Sequence, residues 1–262
     1  MAARSHRARG IVVGKTKLGE SDVIITLLTE DGWSIRAVAK GARKPGGTFA
    51  SRLEYFCEAD VLVAEGKSLG IVQEARIANS HAPIRSCAER SLSAMPVIEL
   101  LAKTSDEGLE NPRIYAMLVT FLGLLENSPE DVSLALCAAA LLKTMALLGF
   151  KPSLVSCVQC GSEVALDSTK DSLPFSYSDG GVVCENCRAS YDSIEIDIPT
   201  IAWAHHFLYA TFAEIADSTV EEKAVLLVLQ FTKQWVLMHA GVRVKSLDYL
   251  MTSGVYAFPD KA

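Results

Sequence analysis

Residues 22–40, DVIITLLTEDGWSIRAVAK, decide the reading of the amino end. Two runs, DVIITLLT over 22–29 and WSIRAVAK over 33–40, are rich in apolar and β-branched residues. They meet across Asp31-Gly32, a dipeptide that favours the tight turn of a hairpin. Outward from this hairpin, Gly10–Leu18 precedes it as another extended run. Tyr55–Glu65 and Leu69–Ile77 follow, with a turn at Gly66 between them. Five such strands, with no helix among them long enough to cover a sheet face, suit a small closed barrel that removes its own exposed edges.

From about residue 84 the apolar period lengthens from two to about 3.6, the helical repeat. Asn111-Pro112 sets a capping side chain before a proline and opens a helix over 112–126. Ser128-Pro129-Glu130-Asp131 opens another that ends near Gly149, and helical character returns over 198–216 and 220–239. Between them, residues 153–195 are polar, glycine-bearing and cysteine-paired. The expected architecture is therefore α+β and multidomain. An oligonucleotide-binding (OB) barrel occupies residues 1–80, an α-helical domain 81–152 and 196–262, and a cysteine module is inserted at 153–195. An SH3-type barrel has the same periodicity and stays open as an alternative. The apolar stretch 132–150 carries Lys143 near its centre. A lysine there costs roughly 3 kcal/mol in a bilayer, so a buried helix is expected, not a membrane span. No secretory leader pattern follows the basic start, and a cytoplasmic location is expected.

The net charge of the 262 residues is −6, which argues against a uniformly basic nucleic-acid binder, but the charge is unevenly spread. Residues 1–52 hold ten Lys and Arg against four acids, net +6, leaving −12 for the remainder. One end is suited to a polyanion and the other to different partners.

The positive charge peaks in Lys40-Gly-Ala-Arg-Lys-Pro-Gly-Gly-Thr-Phe-Ala-Ser-Arg52, four cations and no acid on a connection between two expected strands. A long, mobile loop of this kind can track a phosphate backbone. Arg36, Lys40, Arg43, Lys44 and Arg52, with Lys15 and Lys17 on the first strand, form the candidate DNA-binding set. Trp33, Phe49 and Tyr55 lie close enough in sequence to offer stacking to unpaired bases, and Trp33 joins the set. Ordinary barrel packing explains Trp33 and Tyr55 equally well.

Cys157-x-x-Cys160 and Cys184-x-x-Cys187 are two pairs separated by 23 residues. Two intervening residues let both sulfurs of a turn point at one ion, and four thiolates complete a tetrahedron with no open position. A structural zinc ion in a ribbon-like module is expected, with a hairpin over 175–183 between the pairs; redox dithiols are the alternative. Cys57, Cys87 and Cys137 stand singly in apolar segments as core residues. No phosphate-binding glycine loop, nucleophile elbow or helix-borne histidine pair is present, so no catalytic residue is assigned and no enzyme is expected. His205 and His206 are adjacent and diverge on a helix. Glu20 and Asp22 are read as turn-capping residues or partners of a nearby cation.

These residues together resemble the RecO family of DNA repair proteins. Gly19-Glu-Ser-Asp22 leading into Ile24-Ile-Thr-Leu-Leu-Thr29 is similar to the family's strand entry. Ala39-Lys-Gly-Ala-Arg-Lys44 and Leu53-Glu-Tyr-Phe56 are similar to the segments that follow it. Ile98-Glu-Leu-Leu101, Asn111-Pro112, Leu148-Gly-Phe-Lys-Pro-Ser-Leu154 and Lys245-Ser-Leu-Asp-Tyr-Leu250 continue the likeness in order. After Arg43-Lys44 the family's loop is usually richer in serine and arginine, whereas here Pro45-Gly-Gly47 intervenes.

The resemblance implies a mediator of recombinational repair in the RecF pathway of bacteria. Such a protein binds single- and double-stranded DNA, anneals complementary strands and, with RecR, helps load RecA onto strands coated by single-stranded DNA-binding protein (SSB). It also implies docking of the SSB C-terminal tail on the helical part, a nucleoid-associated cytoplasmic location, and zinc in many members. The competing expectation is a zinc-ribbon adaptor whose barrel binds only proteins.

Overall fold

The computed structural model describes residues 4–105, 110–166 and 170–256. They form two compact units, one up to Asn127 and one from Ser128. Helices over 82–127 fall in the first of these units, with the barrel.

In the first unit, β1 (Ser5–Leu18), β2 (Asp22–Thr29), β3 (Ser34–Ala39), β4 (Glu58–Ala64) and β5 (Gly70–Asn79) close a barrel in the order β1-β2-β3-β5-β4. β1 starts earlier than expected because its amino half pairs with β4, Ser5 opposite Ala64, while its carboxyl half pairs with β2. A register shift between Val12 and Gly14 marks the changeover. Alternation sends Val12, Val23, Ile25, Leu27, Ile35, Ala37, Val61 and Val63 into the barrel core. Closure of the sheet requires β3 and β5 to pair in parallel, Ala37 opposite Gly70.

Helices α1 (Ala82–Ser86), α2 (Ala88–Thr104) and α3 (Pro112–Asn127) complete this unit. No helix lies among the five strands, but one that follows them covers part of the barrel. α2 packs across β1 and β2, which accounts for the burial of Ile11, Val13 and Leu28 outside the barrel core. The hairpin turn also meets this layer. Gly32 sits at φ 85° with its Cα against the Asn111 carbonyl, so a side chain there would collide with backbone.

The second unit is built on α4 (Ser133–Leu147), α5 (Ile198–Tyr209), α6 (Phe212–Asp217), α7 (Glu222–Ala240) and α8 (Lys245–Thr252). A short 3-10 turn over Glu130–Val132 precedes α4. The helix expected over 198–216 is two helices. Thr211 accepts the Glu214 backbone N–H, and the Glu214 carboxylate accepts the Thr211 backbone N–H, a capping box that restarts the chain after Ala210. Lys143 is half-buried, with its ammonium on backbone carbonyls. No helix among the described residues is long and apolar enough to cross a membrane.

Between α4 and α5 the cysteine module folds as a three-stranded sheet, β7 (Gly181–Val182), β6 (Ser172–Ser176) and β8 (Ile194–Asp197). The expected hairpin is present, with Gly180 at φ 96° in its turn. Phe175 on β6 meets Phe231 and Trp235 of α7 edge-on at 5.1 and 6.0 Å. The Trp235 indole N–H donates to the Phe150 carbonyl at 2.9 Å.

Candidate nucleic-acid interface and metal centre

The connection between β3 and β4 is a chain of tight turns. Lys44 N–H donates to Gly41 O, Gly47 N–H to Lys44 O, Ala50 N–H to Gly47 O and Leu53 N–H to Phe49 O. Gly46 has φ 70°, and the Cα of Gly47 lies against the Gly41 carbonyl, so Pro45-Gly-Gly47 is the turn chemistry this path requires. Two bonds pin the loop to the turn between β1 and β2. The Arg43 N–H donates to Ser21 O at 2.9 Å, and the Gly41 N–H donates to the Asp22 carboxylate at 2.8 Å. Asp22 is thus the turn-capping group expected from sequence. The Gly41 N–H and then the Ser21 hydroxyl hold its carboxyl below the usual range, with Lys40 and Lys44 adding to the effect.

Lys40, Arg43 and Lys44 gather around this β1–β2 turn. Lys40 and Lys44 are near enough to act on Asp22, and the Arg43 guanidinium donates to Gly19 O at 3.3 Å. All three are exposed, as is Arg36 on the outer face of β3, and among the described residues none of the four closes an ion pair. Lys17 is exposed near the end of β1. Lys15 is drawn to Glu54 at 2.7 Å.

Arg52 points elsewhere and donates to the Ala75 carbonyl of β5 at 3.1 Å. Trp33 is not brought to the loop. It precedes β3 while Lys40 follows it, about 20 Å of extended chain apart, and its ring packs half-buried on the barrel core. Tyr55 is half-buried, its hydroxyl accepting the Lys15 N–H at 3.3 Å. Phe49 is the aromatic that the loop carries, resting on the barrel core with Ala42.

Elsewhere on the barrel cations and acids are interspersed. Arg9 meets both carboxylate oxygens of Asp60 at 2.8 and 3.0 Å. A cavity of about 490 Å³ there is lined by Arg7, Arg9 and Arg76 together with Glu30, Asp60 and Glu74.

In the second unit the two cysteine pairs converge, the sulfurs of Cys157, Cys160, Cys184 and Cys187 all lying within 4.8 Å of one another. The Cys160 and Cys184 sulfurs are 3.7 Å apart, close to the edge of about 3.8 Å for a tetrahedron with metal–sulfur bonds of about 2.3 Å. Gly161, at φ 71°, turns the chain so that its N–H reaches the Cys157 carbonyl. Burial opposes ionisation of Cys157, but the backbone N–H groups of Cys184, Cys160 and Gln159 outweigh it and bring the thiol down to about 6. The Ser162 hydroxyl lowers Cys160. Cys187, beside Cys184 and the other thiols, is pushed up to about 12. Such crowding favours a divalent cation, because one ion neutralises what the thiolates cannot share. The donor set fits a closed, structural site with no position left for a substrate.

Cys57 and Cys137 are buried core thiols as expected, whereas Cys87 is half-buried just before α2. The rings of His205 and Tyr209 lie 4.6 Å apart and those of His206 and Trp203 5.5 Å, so the two histidines serve separate contacts.

Comparison with known proteins now adds descent to this geometry. Residues 1–81 match the family described as Recombination protein O N terminal, and 85–248 match Recombination protein O C terminal. The chain is 32% identical over 196 residues to the DNA repair protein RecO of Dehalococcoides mccartyi, covering 74% of this chain and 75% of that one. It is 36% identical over 182 residues to that of Bifidobacterium longum, covering 69% and 73%. With that of Alkaliphilus metalliredigens it shares 28% over 244 residues, covering 92% and 97%. Both halves of the chain, barrel and helical part alike, belong to the RecO family of DNA repair proteins.

Proposed function

We propose that this protein is a DNA-binding recombination mediator of the RecF pathway that makes and breaks no covalent bonds. Its five-stranded barrel, read as an OB fold, would hold single- and double-stranded DNA. In that fold the β2–β3 face and the β1–β2 connection carry oligonucleotides; here Arg36 lies on β3, and Lys40, Arg43 and Lys44, from the β3–β4 connection, gather around the β1–β2 turn. That unmatched cluster is the observation that carries the reading.

Cations that neutralise phosphates on two strands lower the repulsion between them. Complementary strands can then pair with no nucleotide hydrolysis, with affinity falling as salt rises. The acidic remainder suits proteins: RecR, the SSB C-terminal tail and, indirectly, RecA, in a cytoplasmic, nucleoid-associated setting. The four thiolates would hold zinc as a structural ion in a ribbon-like module.

Fluorescence anisotropy with a labelled oligonucleotide at rising salt tests the reading. Binding at low salt should weaken steeply with salt, the slope falling by about one for each phosphate contact removed. Reversing Arg36, Lys40, Arg43 and Lys44 to Glu should abolish it. Binding that survives the reversal, or no binding at low salt, leaves the adaptor alternative standing.

A further inference from the structure

Beneath the basic loop, the end of the barrel holds a cavity of about 300 Å³. Its floor is the core itself, Val23, Ile25 and Leu53, and its sides are Phe49 and the small Ala42 and Ala50. The polar part is the Lys15–Glu54 pair, 2.7 Å apart, together with Arg43. Arg43 therefore belongs both to the cavity and to the cation cluster around the β1–β2 turn.

We infer that this cavity accepts one unstacked base of a single strand whose phosphates lie on Lys40, Arg43 and Lys44. The inference rests on the DNA-binding reading above and deepens it. An apolar floor with one aromatic wall suits the face of a base. Lys15 supplies a donor and Glu54 an acceptor for its polar edge, whatever the base. The larger cavity of the barrel does not offer this combination, because arginines and acids line it together and Asp60 holds Arg9. A base inside a duplex reaches such a cavity only after being unstacked and unpaired, so the site favours single strands.

The test compares an intact labelled oligonucleotide with an abasic one of equal length and charge, by anisotropy at fixed salt. The intact strand should bind roughly tenfold more tightly, the size of effect one stacked base produces. Phe49→Ala, which removes the aromatic wall, and Ala50→Trp, which fills the space, should each bring the ratio towards one while leaving the salt slope unchanged. Two variants that change the cavity in opposite ways separate base binding from damage to the loop. Equal binding of both strands by the unaltered protein overturns the inference, as does a ratio that neither variant moves. Binding of neither strand at low salt removes the DNA-binding reading and the inference with it.

Discussion

The carboxylate of Asp22 accepts the backbone N–H of Gly41 at 2.8 Å, fastening the β1–β2 turn to the first turn of the basic loop. The bond places two cations around one acid, because Lys40 and Lys44 flank the same carboxylate. The folded pKa of Asp22 lies below its unfolded value near 4. Its contribution is therefore present above that value and lost as pH falls through the lower folded pKa. Asp22→Asn, which keeps an acceptor but not the charge, should destabilise the protein at neutral pH and match it in strong acid. Urea unfolding of both proteins across that range checks this, and a stability gap that widens towards acid would refute it.

The cations of the loop should divide into two kinds. Lys44 is exposed and holds no ion pair among the described residues, so Lys44→Ala should leave stability within about 0.5 kcal/mol and reduce the salt slope of DNA binding by about one. Arg52 instead ties the loop's end to the Ala75 carbonyl. Arg52→Ala should cost about 1 kcal/mol of stability and leave the salt slope unchanged. Thermal unfolding beside a salt titration separates the two.

Much of this arrangement was legible in the sequence, for local reasons. Residues 22–29 and 33–40 are runs rich in apolar and β-branched residues, and Asp31-Gly32 favours the hairpin, so these local signals found the strands of the barrel. The two Cys-x-x-Cys turns carry their own geometry. The break between α5 and α6 was also legible, since Thr211-x-x-Glu214 is a capping signature, but the apolar period runs on across it and masks it.

Trp33 was drawn to the loop by closeness in sequence, although a strand of six residues separates the two. What lies on the barrel depends on distant partners. The burial of Ile11 and Val13 needs α2, and the cavity needs Phe49 and Leu53 to fold back over Val23 and Ile25. No local pattern encodes such contacts.

Lys143 is the polar interruption in the otherwise apolar α4, and its ammonium donates to the carbonyls of Leu208 and Ala210 at 3.0 and 2.7 Å. These carbonyls end α5, where a cation also meets the negative end of the helix. Phe212 covers the same ammonium, its ring centre 5.6 Å away. Lys143→Met keeps the length of the side chain and removes the donor. It should cost about 2 kcal/mol, the price of leaving partly buried carbonyls unmet, and lower Tm by a few degrees. An unchanged Tm would mean that water serves those carbonyls equally well.

Metal should hold the cysteine module in place, and protons should compete with it. Without metal, Cys157 at about 6 is mostly ionised at neutral pH while Cys187 at about 12 keeps its proton. Binding a divalent ion must expel that proton, so affinity rises with pH by about tenfold per unit for each proton released and falls towards acid. The purified protein should carry one equivalent of zinc, and competition with a chromogenic chelator should show this pH dependence. Stripping the ion should also change the near-ultraviolet circular dichroism, because β6 brings Phe175 against Phe231 and Trp235. Cys184→Ser should weaken metal retention and produce the same spectral change. A chelator titration flat in pH, or a spectrum indifferent to metal, would show that the four thiols are not a metal site.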